Sequence, residues 1–224
     1  MKVAIVHDFL NVLGGAERVL KSISDIYPNA PIYTLFVNKR NIKDFLADKK
    51  ITTSSLQKKA ELLGFRHKFL FPLMPRAVEE FDFRDFDVVI SSQSAWTKGI
   101  ITKPETLHVS YCHTPTRFLW TESASYVTSQ KAGAIKKFVA KRLISKIRIW
   151  DRLAADRVDY WIANSYLTRK RIKKYYKKNS QVIYPPTDTE NFSACNLISS
   201  LLNFFSLSIK RLMTFCRAKT PCSL

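Results

Sequence analysis

The chain has 224 residues, of which 46% are hydrophobic and 12% aromatic, and it contains five glycines. This composition excludes an intrinsically disordered chain and a collagen-like repeat, and it is sufficient for one domain with a substantial core. The formal net charge is +19, and residues 131–180 hold 16 of the 37 Lys and Arg side chains but three of the 18 acids. Such a basic block attracts polyanions: anionic lipid headgroups, nucleic-acid phosphates or a phosphorylated substrate.

Apolar runs alternate with segments of helical periodicity from residue 3 onwards. The run 3–6 predicts a strand buried on both faces, and a glycine loop leads from it into a helix at 16–23. The further predicted elements are a strand at 31–37, a helical stretch at 62–81, strands at 87–92 and 106–112, a helix at 134–158, a strand at 160–165, a helix at 167–178 and a strand at 181–184. This alternation predicts an α/β fold, a Rossmann-like doubly wound parallel sheet.

The composition of the chain changes after Phe192. Residues 193–224 contain no acid, three of the four cysteines, and leucines and isoleucines mixed with serines. We therefore expect residues 1–192 to form one domain and residues 193–224 to be a divergent tail, disordered or helical and not native to the fold. The alternative is a C-terminal helix packed on the sheet, because apolar residues recur about four positions apart in this segment.

Targeting and metal signals are not evident in the sequence. The N-terminal apolar run is too short for a secretory signal, and no run reaches the roughly 18 apolar residues of a membrane span. We expect a cytoplasmic protein that contacts the membrane only peripherally, on the inner face. The cysteines form no Cys-x-x-Cys pair and no His, Asp or Glu cluster has metal-ligand spacing, so we expect neither a metal nor a cofactor.

Several residues that can carry chemistry directly follow predicted strands. Gly14 and Gly15 precede a helix, whose free N–H groups attract anions, although a plain tight turn explains two glycines equally well. His7, Ser94 and His113 also follow strand ends, where open α/β sheets bind their ligands, so we expect them to line one crevice. A histidine there can bind a sugar or phosphate, and the alternative is a structural histidine bonded to a loop carbonyl.

The predicted helix at 134–158 has an apolar side and a basic surface. The apolar side consists of Ile135, Phe138, Val139, Leu143, Ile147, Trp150 and Ala154. The basic residues that we expect to face a membrane are Lys137, Lys141, Arg148 and Arg152. This pattern is typical of a helix lying on an anionic bilayer and also of a domain helix with a solvated face. A second basic run at 169–178 includes tyrosines, but no nucleic-acid-binding motif accompanies it, so we expect no nucleic-acid partner.

Five motifs occur in order along residues 1–192. They are VAIVHDFL with GGAER at 3–18, SSQSAWTKG at 91–99, YCHTPTR at 111–117, ANSYLTR at 163–169 and VIYPPTD at 182–188. Together they resemble the N-terminal half of retaining GT-B glycosyltransferases of family 4, close to bacterial polysaccharide mannosyltransferases.

The resemblance implies an enzyme of two Rossmann-like domains. The N-terminal one would hold a lipid-linked or saccharide acceptor and the C-terminal one a nucleotide sugar such as GDP-mannose, with transfer between them and no metal. By this resemblance His113 is the catalytic residue that faces the reacting sugar. The substrate-binding residues that it implies, with the two glycines nearest the donor diphosphate, are Gly14, Gly15, His7, Ser94, Lys98 and Arg117.

The tail departs from the family pattern. Residues 193–224 lack the Glu-x7-Glu carboxylates and the Arg/Lys pair of the second domain, which stabilise the leaving diphosphate. We therefore expect a truncated chain, left by a disrupted reading frame and inactive alone, of a mannosyltransferase of cell-surface polysaccharide biosynthesis. The alternative is a non-catalytic module that binds the acceptor or the membrane and works with a partner supplying the donor domain.

Overall fold

Seven parallel strands form one sheet in the computed structural model, which describes residues 1–42, 45–123 and 133–187. The strands are β1 (Val3–His7), β2 (Ile32–Thr34), β3 (Ile51–Thr53), β4 (Val88–Gln93), β5 (Leu107–Cys112), β6 (Tyr160–Ala163) and β7 (Gln181–Val182). Their order is β3-β2-β1-β4-β5-β6-β7. Because the chain proceeds outward from β1 to one edge and then from β4 to the other, the sheet is doubly wound, and the predicted α/β fold is confirmed.

The helices connect successive strands. They are α1 (Gly15–Ile26), α2 (Lys39–Ile42), α3 (Gln57–Leu62), α4 (Met74–Glu79), α5 (Arg117–Trp120), α6 (Ala134–Ala154) and α7 (Tyr166–Tyr176), with short 3-10 helices at His67–Leu73, Thr97–Gly99 and Ala155–Arg157. Helix α1 buries Val19, Leu20 and Ile23, the stripe that its periodicity predicts. Helix α7 begins at the cap Ser165, whose hydroxyl accepts the N–H of Thr168 at 3.2 Å.

Three predicted elements differ from the observed ones. The strand predicted at 31–37 ends at Thr34, because the N–H of Leu35 donates to the carbonyl of Asp8 and the chain leaves the regular ladder. Strand β3 was not predicted, since three residues with two threonines carry little apolar signal. The helical stretch predicted at 62–81 is broken, because Gly64 and Phe65 both adopt positive φ and end the first turn.

The core lies mainly between the sheet and the helices of the first half of the chain. Phe36, Met74 and Trp96 are among its fully buried members. A second cluster packs Trp161 against Tyr176 beside β6 and α7. Both clusters hold the strand ends in fixed register, which positions the loops that follow them.

Only part of the apolar side predicted for α6 packs on the domain. Ile147 and Ala154 are buried, whereas Ile135 is 81% exposed and Phe138 and Val139 are also exposed. Within the described residues, α6 contacts α5 and the 3-10 helices at Thr97–Gly99 and Ala155–Arg157. Ile144 and Asp151 on α6 are buried with Ile147 and Ala154, so the buried stripe begins two turns later than the sequence pattern indicates.

The chain divides into two units, Met1–Tyr184 and Pro185–Leu224. The first contains every strand named above. The tail predicted at 193–224 and its boundary at residue 192 lie outside the described residues, so both stay predictions. No helix in the described part of the chain is apolar over a length that would cross a bilayer.

Candidate functional site

Two histidines and a serine meet at the carboxyl ends of three adjacent strands. His7 ends β1 and pairs in register with Ser92 of β4, and His113 directly follows β5. The Ser92 hydroxyl lies 3.2 Å from Nδ1 of His7 and 2.9 Å from Nε2 of His113. The parallel register therefore brings together His7 and His113, the two histidines that the sequence predicts to share one crevice.

The first turn of α1 joins this group through Glu17. Its Oε2 accepts the N–H of Gly14 at 2.9 Å, and its Oε1 lies 3.6 Å from Nε2 of His7. A continuous line of polar groups thus runs from the Gly14 amide through Glu17, His7 and Ser92 to His113. We call these five residues the polar chain.

Desolvation and hydrogen bonding set the charge states of His113 and Glu17 in the polar chain. Desolvation, reinforced by His7, lowers the pKa of His113 to about 4. Burial alone would raise the pKa of Glu17, but the hydrogen bond and charge of His7 and the backbone amides of Glu17 and Gly14 outweigh it and lower that pKa. At neutral pH His113 is consequently an uncharged imidazole and Glu17 a carboxylate.

The two glycines differ in what they offer a ligand. The Gly14 amide is already bonded to Glu17, and a Cβ at Gly14 would lie 3.1 Å from that carboxylate. Gly15 is the first residue of α1, where a backbone N–H has no partner within the helix, and a Cβ there would meet nothing within 4 Å. The open space at Gly15 lets an anion approach the helix N-terminus closely.

Ser94 is held at the end of β4 by Asp8. The Asp8 carboxylate accepts the N–H groups of Ser94, Ala95, Trp96 and Thr97 at distances from 2.7 to 2.9 Å. Four amides on one carboxylate fix the loop after β4 to the end of β1. Ser94 therefore lies beside the strand ends that carry the polar chain.

Lys98 lies in the interior of the domain. Its side chain is 0% exposed and its ammonium lies 2.6 Å from Asp151, which is 1% exposed. It also donates to the carbonyl of Ala95 and lies 3.5 Å from the hydroxyl of Thr116. These contacts tie the loop after β4 and the segment after His113 to α6, and they place Lys98 away from solvent.

Arg117 begins α5 and is exposed. Its guanidinium lies 3.7 Å from the carboxylate of Glu122, and it does not take part in the polar chain. The rim segment YCHTPTR is thus split, with His113 turned into the strand ends and Arg117 turned to solvent.

The four basic residues predicted to face a membrane have different environments. The Nε of Arg148 donates to the carbonyl of Leu119 at 2.7 Å, and Arg152 pairs with Asp156 at 2.9 Å. Lys141 is exposed and Lys137 is half-buried. Two of the four cations therefore have partners within the domain.

Sequence reasoning missed Glu17, Ser92 and Asp8. Glu17 stands three residues after the helix cap, the spacing at which an acidic side chain reaches back to the cap amide. Ser92 and Asp8 stand at strand ends, but Ser92 lies 85 residues from His7 and Asp8 lies 86 residues from Ser94, so only the strand order reveals these contacts. No group of three His, Cys, Asp or Glu side chains in the described segments could hold a metal ion.

This chain is similar to one known family and to a solved structure. The family model described as Glycosyltransferase Family 4 matches residues 13–191. Among solved structures, the chain is similar to Alr3699/HepE of Anabaena, crystallised in complex with UDP, with 14% identity and a TM-score of 0.47. That match covers 85% of this chain and 45% of the HepE chain, so this chain spans about half of that relative's length. No curated protein matches the sequence.

The family match covers far more than half of the sequence, from the loop before α1 to a point beyond β7. The chain therefore belongs to Glycosyltransferase Family 4.

Proposed function

We propose that this chain supplies the acceptor-binding side of a sugar transfer from a nucleotide sugar. The observation that carries the proposal is the polar chain, which ends on a neutral His113 at the carboxyl ends of β1, β4 and β5. This is the edge at which doubly wound sheets bind their ligands. Membership of the family supports the class of reaction, and the geometry supports this edge of the sheet as its location.

Different residues would bind the diphosphate and the saccharide during the transfer. As the bond from the sugar to the diphosphate breaks, negative charge grows on the leaving group and needs donors that are already in place. The N–H of Gly15 and the positive end of α1 offer such a site. The neutral ring of His113 would bind a hydroxyl of the acceptor saccharide beside the bond that forms, since an uncharged imidazole hydrogen-bonds hydroxyl groups.

The donor that we propose is GDP-mannose, and the acceptor is a lipid-linked saccharide of cell-surface polysaccharide synthesis. The five ordered motifs favour this choice, because they are similar to those of polysaccharide mannosyltransferases. The nucleoside of the donor would be held outside the described domain, on a second Rossmann-like domain.

Calorimetric titration with a short-chain polyprenyl diphosphate saccharide tests the acceptor site. We expect saturable binding to the whole chain, a loss of about tenfold or more for His113→Ala, and no loss for Arg84→Ala, an exposed residue paired with Asp82. Equal binding by His113→Ala would overturn the proposed site.

The exposed turns of α6 favour a second part of the proposal, attachment to the cytoplasmic membrane. Ile135, Phe138 and Val139 are exposed beside Lys141 and Arg142. Apolar side chains can enter the headgroup region while each nearby cation gains about 1 kcal/mol from anionic lipid. We propose that the protein is cytoplasmic and binds the inner face of that membrane, where a lipid-linked acceptor lies.

Flotation with vesicles tests this attachment. We expect the chain to float with vesicles of anionic lipid but not with neutral ones, and to be released by added salt. Lys137→Glu with Lys141→Glu should abolish flotation, whereas the same charge change at Lys58 and Lys59 of α3 should not. Flotation independent of lipid charge would contradict the electrostatic part.

A further inference from the structure

The Ser92 hydroxyl lies between two imidazole rings and has one proton to donate. It lies within hydrogen-bond distance of Nδ1 of His7 and of Nε2 of His113. A hydroxyl donates one hydrogen bond and accepts others, so Ser92 must donate to one ring and accept an N–H from the other. Two arrangements satisfy this rule, and they leave His113 in opposite tautomers.

Glu17 distinguishes the two arrangements. Its carboxylate is fixed by the Gly14 amide at 2.9 Å and lies 3.6 Å from Nε2 of His7. A negative charge at that distance attracts an N–H and repels a nitrogen lone pair. In neutral His7 the proton therefore stays on Nε2, and Nδ1 is left as an acceptor.

The remaining protons follow from this choice. With Nδ1 of His7 accepting, Ser92 donates its proton there, and its oxygen accepts the Nε2–H of His113. Nδ1 of His113 then carries a lone pair. No residue within 1–42, 45–123 and 133–187 hydrogen-bonds that nitrogen, which leaves it for a ligand.

We propose that Glu17 is a positioning residue that fixes His113 in the Nε2–H tautomer through His7 and Ser92. His113 then offers a ligand an acceptor only, so it selects a sugar hydroxyl over a phosphate or ether oxygen, which would need a donor. The selection of a hydroxyl rests on the proposed function, whereas the tautomer is a property of the chain alone.

Long-range ¹H–¹⁵N NMR of the imidazole rings tests the tautomer directly. The whole chain, labelled at histidine, is observed at about pH 8, well above the ordinary histidine pKa of about 6.5, and His113→Gln identifies the His113 signals. We expect a pyrrole-type Nε2 and a pyridine-type Nδ1 in the unmodified chain. A pyrrole-type Nδ1 in that chain would overturn the inference without any variant.

Glu17→Gln tests the source of the preference. It keeps the size of the side chain and removes the charge, so both tautomers should be populated and the two His113 nitrogen shifts should move towards each other. Glu105→Gln, an exposed residue far along the chain, is the matched control and should change nothing. An unchanged His113 spectrum in Glu17→Gln, with an unchanged unfolding midpoint, would contradict the role of Glu17.

Saccharide binding separates this inference from the proposed function. We expect Glu17→Gln to lower the affinity for the polyprenyl diphosphate saccharide about twofold, because about half of the rings then present the wrong group and the apparent affinity falls with the competent fraction. If the spectrum changes as expected and the unmodified chain binds no saccharide, the proposed function fails while the role of Glu17 in the tautomer stands.

Discussion

A buried histidine, His108, lies on β5, and a half-buried one, His113, directly follows it. Burial lowers the pKa of both His108 and His113 to about 4, while an unfolded histidine titrates near 6.5. Between these values the unfolded chain binds more protons than the folded chain. The stability that the neutral rings contribute is therefore fully present above about pH 6.5 and is lost as the pH falls towards 4.

Replacing one of these rings reduces this dependence on pH. His113→Gln should lower the slope of the unfolding free energy between about pH 6.5 and 4 by up to about 1.4 kcal/mol per pH unit, the linkage of one proton. Urea unfolding at several pH values measures the slope. A slope equal to that of the unmodified chain would mean that His113 is protonated in the folded protein.

The ion pair between Lys98 and Asp151 is the most buried one in the described part of the chain. Asp151 also accepts the hydroxyl of Thr116 at 2.6 Å and the indole N–H of Trp120 at 2.8 Å. One carboxylate thus holds a lysine, the rim after His113 and α5. Lys98 of the SSQSAWTKG segment therefore has a structural role in this network.

Asp151→Asn should destabilise the fold by about 3–5 kcal/mol, because it leaves the Lys98 ammonium buried without a counter-charge. Chemical unfolding monitored by tryptophan fluorescence measures the change. Asp82→Asn, which removes the exposed partner of Arg84, is the control and should have little effect. Equal effects of the two substitutions would show that burial does not decide the strength of the Lys98 pair.

At the scale of elements, the position of α6 depends on one glycine. A Cβ at Gly99 would overlap Cζ2 of Trp150, would lie 2.7 Å from Cη2 of the same ring, and would be 3.4 Å from Cβ of Ala154. Helix α6 therefore rests directly on the backbone of the 3-10 helix Thr97–Gly99. This contact aligns the buried Asp151 with Lys98.

Gly99→Ala should consequently cost about 1–3 kcal/mol through overpacking. Gly15→Ala, where a Cβ meets nothing within 4 Å, should leave the unfolding free energy unchanged or raise it slightly. Thermal unfolding of the two variants compares them directly. A neutral Gly99→Ala would mean that α6 shifts freely on the sheet.

The strands could be predicted from the sequence where burial on both faces requires a continuous apolar run, as in β1 and β4. Strand β3 could not, because its pairing with β2 and not its composition makes it a strand. The same holds at the site. His7 and His113 could be predicted from their places after strands, but the link through Ser92 depends on a contact across 85 residues.

At the scale of the molecule, the first compact unit ends at Tyr184 and contains every described strand. A chain ended after Thr187 should therefore unfold cooperatively, with the midpoint of the whole chain within a few degrees. Circular dichroism during heating measures this. Loss of cooperative unfolding would show that residues after Thr187 belong to the core.

The basic residues are concentrated in a different part of the sequence from the polar chain. Helices α6 and α7 fall in the segment that holds 16 of the 37 basic residues, while the polar chain lies on β1, α1, β4 and the loop after β5. The proposed membrane surface and the proposed sugar site are therefore separate sets of residues. The ion pair between Lys98 and Asp151 connects the loop after β4, near the proposed sugar site, to α6, which carries the proposed membrane surface.

The most direct test of the sugar site is a titration of the ¹⁵N-labelled chain with the polyprenyl diphosphate saccharide, observed at the His113 ring. The account predicts a saturable shift of Nδ1 of His113, with the same binding curve in the Arg84→Ala control. A His113 spectrum that stays unchanged at saturating saccharide would contradict the placement of the sugar at this ring.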